Sequence, residues 1–169
     1  MDTLSHGLWG GIAFGRKNRP SFWLSFFFGL MPDLLSFGPF MFGTIFGIFN
    51  RPEFSGQRPP TDAAIPTFVH NLYSITHSLI IFLFLFLVIW LINKKPFLPL
   101  LAWGLHILMD IPTHDKLFFP TPFLWPVSNF TLDGVSWGTL YIMIPDAVFL
   151  VMVYAVFFIR KKKKPFLPK

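Results

Sequence analysis

From Leu79 to Ile92 the sequence reads Leu-Ile-Ile-Phe-Leu-Phe-Leu-Phe-Leu-Val-Ile-Trp-Leu-Ile, without a charged residue or a hydroxyl. Taken back to Ile75, the run has close to the ~20 apolar residues that cross a bilayer. It stops at Asn93-Lys94-Lys95-Pro96. In lipid a single segment satisfies its backbone only as a helix. This run therefore predicts a membrane helix, and the composition extends that reading to the whole chain. Of its 169 residues 53% are hydrophobic and only 13% charged, against about 25% charged in soluble domains. The expectation is an all-α polytopic membrane bundle forming a single domain, residues 1–169.

Other runs fill in the bundle. Leu4 to Gly15 is short and glycine-rich, and reads as a partial span packed closely through its glycines. Ser21 to Phe49 is too long for one simple helix and is interrupted at Pro32-Asp33 and Gly38-Pro39. It reads as a membrane helix over 21–37, then a short apolar hairpin or surface helix to about 49. Asn50 to Thr67 is polar and proline-rich, a loop. The fourth run, Phe97 to Ile111, is broken by Pro112. Thr113 to Ser136 is a second long loop, with Trp125 at an interface. The fifth, Trp137 to Ile159, is kinked at Pro145-Asp146 and ends in a basic tail, 160–169. Four full spans and one partial span result.

The net charge of +6 is placed in a way that argues against nucleic acid. Arg16 to Arg19, Lys94-Lys95 and Arg160 to Lys164 each adjoin an apolar run, the positive-inside pattern of cytoplasmic loops. These segments and the C-terminus then lie inside, and 50–74 and 113–136 lie outside, so every turn alternates. Glu53, Asp62, Asp115 and Asp133 all fall on the outer side. Asp2, in place of a basic n-region, argues against a signal peptide. The chain has no Cys, which excludes disulfides and thiolate metal sites.

Within this frame His106 and Asp110 are costly. They lie one helical turn apart in an apolar segment, on one helix face, and a charge at bilayer depth costs roughly 2.5–3.5 kcal/mol on insertion scales. At ~1.5 Å per residue, Asp33, His106, Asp110 and Asp146 fall near mid-depth or just above. His6 and His77 lie toward the outer end, and His70 and His114 in or beside the outer loops. A pocket of His and Asp open to the outer face is what a metal site without Cys requires. Zinc accepts imidazole nitrogen and carboxylate oxygen, keeping a position for water in catalytic sites. It brings that water's pKa near 7. Other readings stay open. His106 and Asp110 can pair helices, Asp33 and Asp146 can cap helix halves after Pro32 and Pro145, and Thr76 or Ser78 can cap the third helix with His77 at the interface. His70 and His114 can be solvated.

Four segments in order carry a resemblance: Ser5-His6-Gly7, Gly29-Leu-Met-Pro32-Asp33, Ile75-Thr76-His77-Ser78-Leu79 and Gly104-Leu-His106-Ile-Leu-Met-Asp110. With these the chain resembles the YdjM-like, LexA-regulated, inner-membrane-associated metal-dependent hydrolases from about residue 3 to Pro126. That family is distantly similar to zinc-dependent phospholipase C and single-strand nucleases. The resemblance implies His6, Asp33, His77, His106 and Asp110 as metal ligands. It implies zinc, with manganese the alternative, and phosphoester chemistry. Two departures stand out. The family's P-D-x-D lacks its second acid here, where Leu34, Leu35 and Ser36 follow Asp33. Its H-R-G before T-H-S reads Leu72-Tyr73-Ser74, with His70 shifted by two.

The expected function is hydrolysis of an ester, a phosphoester by family analogy, at the extracytoplasmic face of the cell's inner membrane. His70, His114 and Asp115 are the candidates for acid–base work. A lipid or lipid-linked substrate suits the depth of the site, and the bilayer is the one partner the composition names. Two rivals remain. One is an ion- or proton-coupled transporter, for which inverted repeats are lacking. The other is a non-catalytic membrane protein with a structural metal site.

Overall fold

The computed structural model describes residues 1–51 and 65–162. The described residues form helices and connections, with no strand. The helices are α1 (Thr3–Phe14), α2 (Arg19–Ser36), α3 (Gly38–Ile45), α4 (Thr67–Thr76), α5 (Leu79–Asn93), α6 (Leu101–Thr113) and α7 (Leu140–Lys162). A 3₁₀ turn, Leu98–Leu100, leads into α6. Most of the expected polar loop, together with Glu53 and Asp62, lies outside the described residues, as does the tail beyond Lys162.

Local chemistry sets the helix starts. Asp2 accepts from the Ser5 amide at 3.0 Å and opens α1. Asn18 does the same for Ser21 at 2.8 Å, with Pro20 in the first turn of α2. Ser78 opens α5 by accepting from the Ile81 amide at 3.1 Å. Each relieves an amide left unpaired in the first turn of its helix.

The expected loop over 50–74 is corrected at its end, because Thr67–Thr76 is helical. Polar residues at 67, 70, 71 and 74 hide a stripe of Val69, Tyr73 and Thr76 that is buried. Pro112 does not stop the fourth run: it sits in the last turn of α6, where its missing N–H forfeits only one bond. Pro32 is likewise accommodated near the end of α2.

Only α7, among the described residues, is by itself long and apolar enough to cross a membrane. Two bent pairs reach that standard when each is counted as one span. They are α2 with α3, bent by 63°, and α4 with α5, bent by 53°. The segment Leu98–Thr113 is apolar but shorter. The count is thus one span, or up to three, where four full spans were expected.

α1 lies along α2, and α6 packs against both. Glycine permits the approach. A Cβ on Gly10 would stand 2.7 Å from the Ser25 carbonyl oxygen, and one on Gly29 would collide with the carbonyl of His6. α7 leans on α1 through two bonds: the Trp9 indole donates to Asp146 Oδ1 at 2.7 Å, and the Tyr154 hydroxyl donates to the Leu8 carbonyl at 2.8 Å. Asp146 therefore binds a neighbouring helix.

Two apolar clusters flank the middle of the bundle. One joins Phe40, Ile65, Val69, Tyr73 and Phe119. The other joins Phe82, Leu100, Trp103 and Ile107. Outward faces of α5 and α7 remain apolar and exposed, with Phe84, Leu91, Ile92, Val151 and Phe158 among them. Patches of this kind are uncommon on soluble monomers.

Candidate metal centre

The N-terminus of α1, the last turns of α2 and α6, and the junction of α4 with α5 meet at one level. The packing of α1 antiparallel to α2 and α6 brings His6, Asp33, His77, His106 and Asp110 there. His6, His77, His106 and Asp110 are essentially fully buried, and the Asp33 side chain is 14% exposed.

The histidines are oriented from behind. His106 Nδ1 lies 2.7 Å from the Gly29 carbonyl. His77 Nδ1 lies 3.2 Å from the Tyr73 carbonyl and 3.0 Å from Thr76 Oγ1. The Thr76 hydroxyl donates to the Leu72 carbonyl at 2.9 Å, leaving its lone pairs for the imidazole. A carbonyl can only accept, so Nδ1 of each ring carries a proton, and a ring with a single N–H presents its Nε2 lone pair. The two Nε2 atoms face one another at 3.1 Å.

Carboxylates complete the group. The Thr3 hydroxyl donates to Asp33 Oδ2 at 2.7 Å. Asp33 Oδ1 is left 3.4 Å from His77 Nε2 and 3.7 Å from His106 Nε2. Asp110 Oδ2 stands 3.1 Å from His106 Nε2 and 3.4 Å from His77 Nε2. One ligand atom from each of Asp33, His77, His106 and Asp110 lies within 4.8 Å of the others. All four atoms can offer a lone pair, and they converge between two apolar clusters where unrelieved repulsion is expensive. Such a group can hold a metal ion.

The other oxygen of Asp110 has different company. Oδ1 lies 2.6 Å from the Met1 amine, 2.9 Å from His6 Nε2 and 3.4 Å from His114 Nε2. His6 stacks on His106, ring centroids 3.7 Å apart. Its contact with Asp110 is close but misaligned, and both its ring nitrogens lack a hydrogen-bond partner. These orphaned, buried nitrogens also fit a cation-binding centre.

Of the acid–base candidates, only His114 reaches the cluster. It is buried rather than solvated, and its Nδ1 lies 2.8 Å from the Phe119 carbonyl. His70 stacks flat on Phe119 at 4.5 Å. Asp115 Oδ1 accepts from the amides of Leu117 and Phe118, shaping the turn that follows α6. Sequence reasoning passed over the supports: Thr3, the Gly29 carbonyl and Tyr73. Tyr73 stacks on His77 at 3.8 Å and donates to the Phe119 carbonyl at 2.9 Å. Its place four residues before His77 was the available signal.

The family model of the YdjM inner membrane protein matches residues 1–168. The chain belongs to the YdjM inner membrane protein family. The match covers nearly the whole chain, beyond the stretch in which the motifs lie. Comparison with curated proteins and with solved structures gave no match. In this YdjM-family chain Asp33 of the Pro32-Asp33 segment stands together with the ligand-capable residues of the T-H-S and H-x-x-x-D segments.

Proposed function

We propose that this protein is a membrane-embedded metal-dependent hydrolase acting on an ester, with a phosphoester of a lipid or lipid-linked molecule the best candidate. The observation that carries the reading is the convergence of Nε2 of His77 and His106 with Oδ1 of Asp33 and Oδ2 of Asp110. Zinc suits two imidazoles and two carboxylates. With bonds of about 2.0–2.2 Å, tetrahedral ligands stand roughly 3.3–3.6 Å apart. The His–His and His–Asp separations of 3.1–3.7 Å are close to that range.

When bound, the ion would act as a Lewis acid toward water and the ester oxygen. The chain's own contribution is orientation. The Gly29 and Tyr73 carbonyls hold the two imidazoles, the Thr3 hydroxyl holds Asp33, and the flanking clusters exclude bulk water. Asp33, the ligand with an exposed edge, marks the side from which a substrate enters. His114 is the group placed to hold a proton beside Asp110.

A second reading, a structural metal site, is favoured by the near-complete burial of the other ligands and by the absence of an acid after Asp33. One experiment separates the two. The purified chain is screened against phosphodiester and phospholipid substrates, with and without chelator. Chelator-sensitive turnover that is lost in His106→Ala supports the hydrolase. Bound metal without turnover on any substrate supports the structural site.

A further inference from the structure

At the far end of α1 from the metal centre, a cavity of about 250 Å³ opens between α1 and α7. Ile12 and Arg16 line it from one side, and Val153, Val156, Phe157 and Arg160 from the other. The spacings are four residues on the first segment, and three or four on the second. Each set therefore follows one helix face or its continuation. The floor is apolar, and each side ends in a guanidinium.

The arginines have no matching acid. Residues 3–32 and 147–169 contain no Asp or Glu, and among the described residues neither arginine pairs with a carboxylate. Two arginines, one in the turn after α1 and one on α7, thus line one cavity whose walls suit hydrocarbon. Arginine binds phosphate oxygens in a bidentate manner, and basic pockets between membrane helices take anionic lipid headgroups.

The geometry points to a binding site for an anionic phospholipid, with the phosphate between Arg16 and Arg160 and an acyl chain along Ile12, Val153 and Val156. A zwitterionic headgroup brings its own cation and leaves the second arginine unmatched. The groove begins at Ile12, six residues from His6 along α1 or roughly 9 Å, and runs on to Arg16 past the end of the helix. None of its lining residues belongs to the metal centre, so this site is separate and does not depend on the hydrolase reading.

The test is native mass spectrometry of the full chain in mild detergent, titrated with phosphatidylglycerol or with phosphatidylcholine of the same acyl chains. Phosphatidylglycerol should be retained about fivefold better, the ratio expected for one unmatched arginine at ~1 kcal/mol. R16Q/R160Q should lower its retention to the phosphatidylcholine level, and K94Q/K95Q should not. Val156→Trp, which keeps both charges and fills the groove, should also lower it. It decides the matter if the arginine variant fails to fold. Equal retention of the two lipids would overturn the proposal, as would retention unaffected by R16Q/R160Q or by V156W. Complete displacement by inorganic phosphate would overturn it too, by marking a simple ion site.

Discussion

Gly29 serves the centre twice. Its missing side chain lets α1 approach α2 at His6, and its carbonyl fixes the His106 imidazole. Gly29→Ala should therefore cost about 1–3 kcal/mol through overpacking and weaken metal binding at the same time. Gly38→Ala, where an added Cβ meets nothing within 4 Å, should alter neither. Thermal unfolding and metal content of the two variants check this. At Asp110 the expectation is sharper. One oxygen faces the acceptor cluster and the other faces His6 and His114. Asp110→Ala and His106→Ala should each abolish binding of zinc or manganese, measured by elemental analysis of purified protein. Full occupancy in either variant would remove these residues from the ligand set.

Among the elements, α1 depends on its neighbours most. It is too short to span alone and carries His6 at one end and the Trp9 bond to α7 in its middle. Trp9→Phe keeps an aromatic ring and removes the donor to the half-buried Asp146, a loss of about 1 kcal/mol for one hydrogen bond. Hydrogen exchange should then quicken in α7 while α6 keeps its protection. The elements show what pattern can reveal. α1, α2, α5 and α7 were legible because their apolar runs have clear boundaries in charge or glycine. α4 was not, because its buried stripe is three residues long and interleaved with polar ones. The centre was legible in part. A His or Asp inside an apolar helix stands out by its cost, and shared depth suggested a meeting. The partner of Asp146 was invisible, since nothing in the sequence ties Trp9 to a residue so far along the chain. The buried place of His114 was equally hidden, because it depends on how the segment after α6 folds back to offer the Phe119 carbonyl.

At the scale of the whole molecule, the charges predict that Lys94 and the C-terminus face the same compartment, the cytoplasm. Reporter fusions at both positions should give cytoplasmic signals, and an outside signal at either would overturn the depth argument. The four ligand-capable side chains of the centre come from three stretches of chain that only the folded bundle brings together, so a bound ion would act as a cross-link across two long loops. A link of this kind disfavours the unfolded ensemble, which cannot present the ligands together. Chelation should then lower the melting temperature of the entire bundle, and the depression should grow with the affinity of the ion removed. The chain would owe part of its durability in the bilayer to the supply of metal.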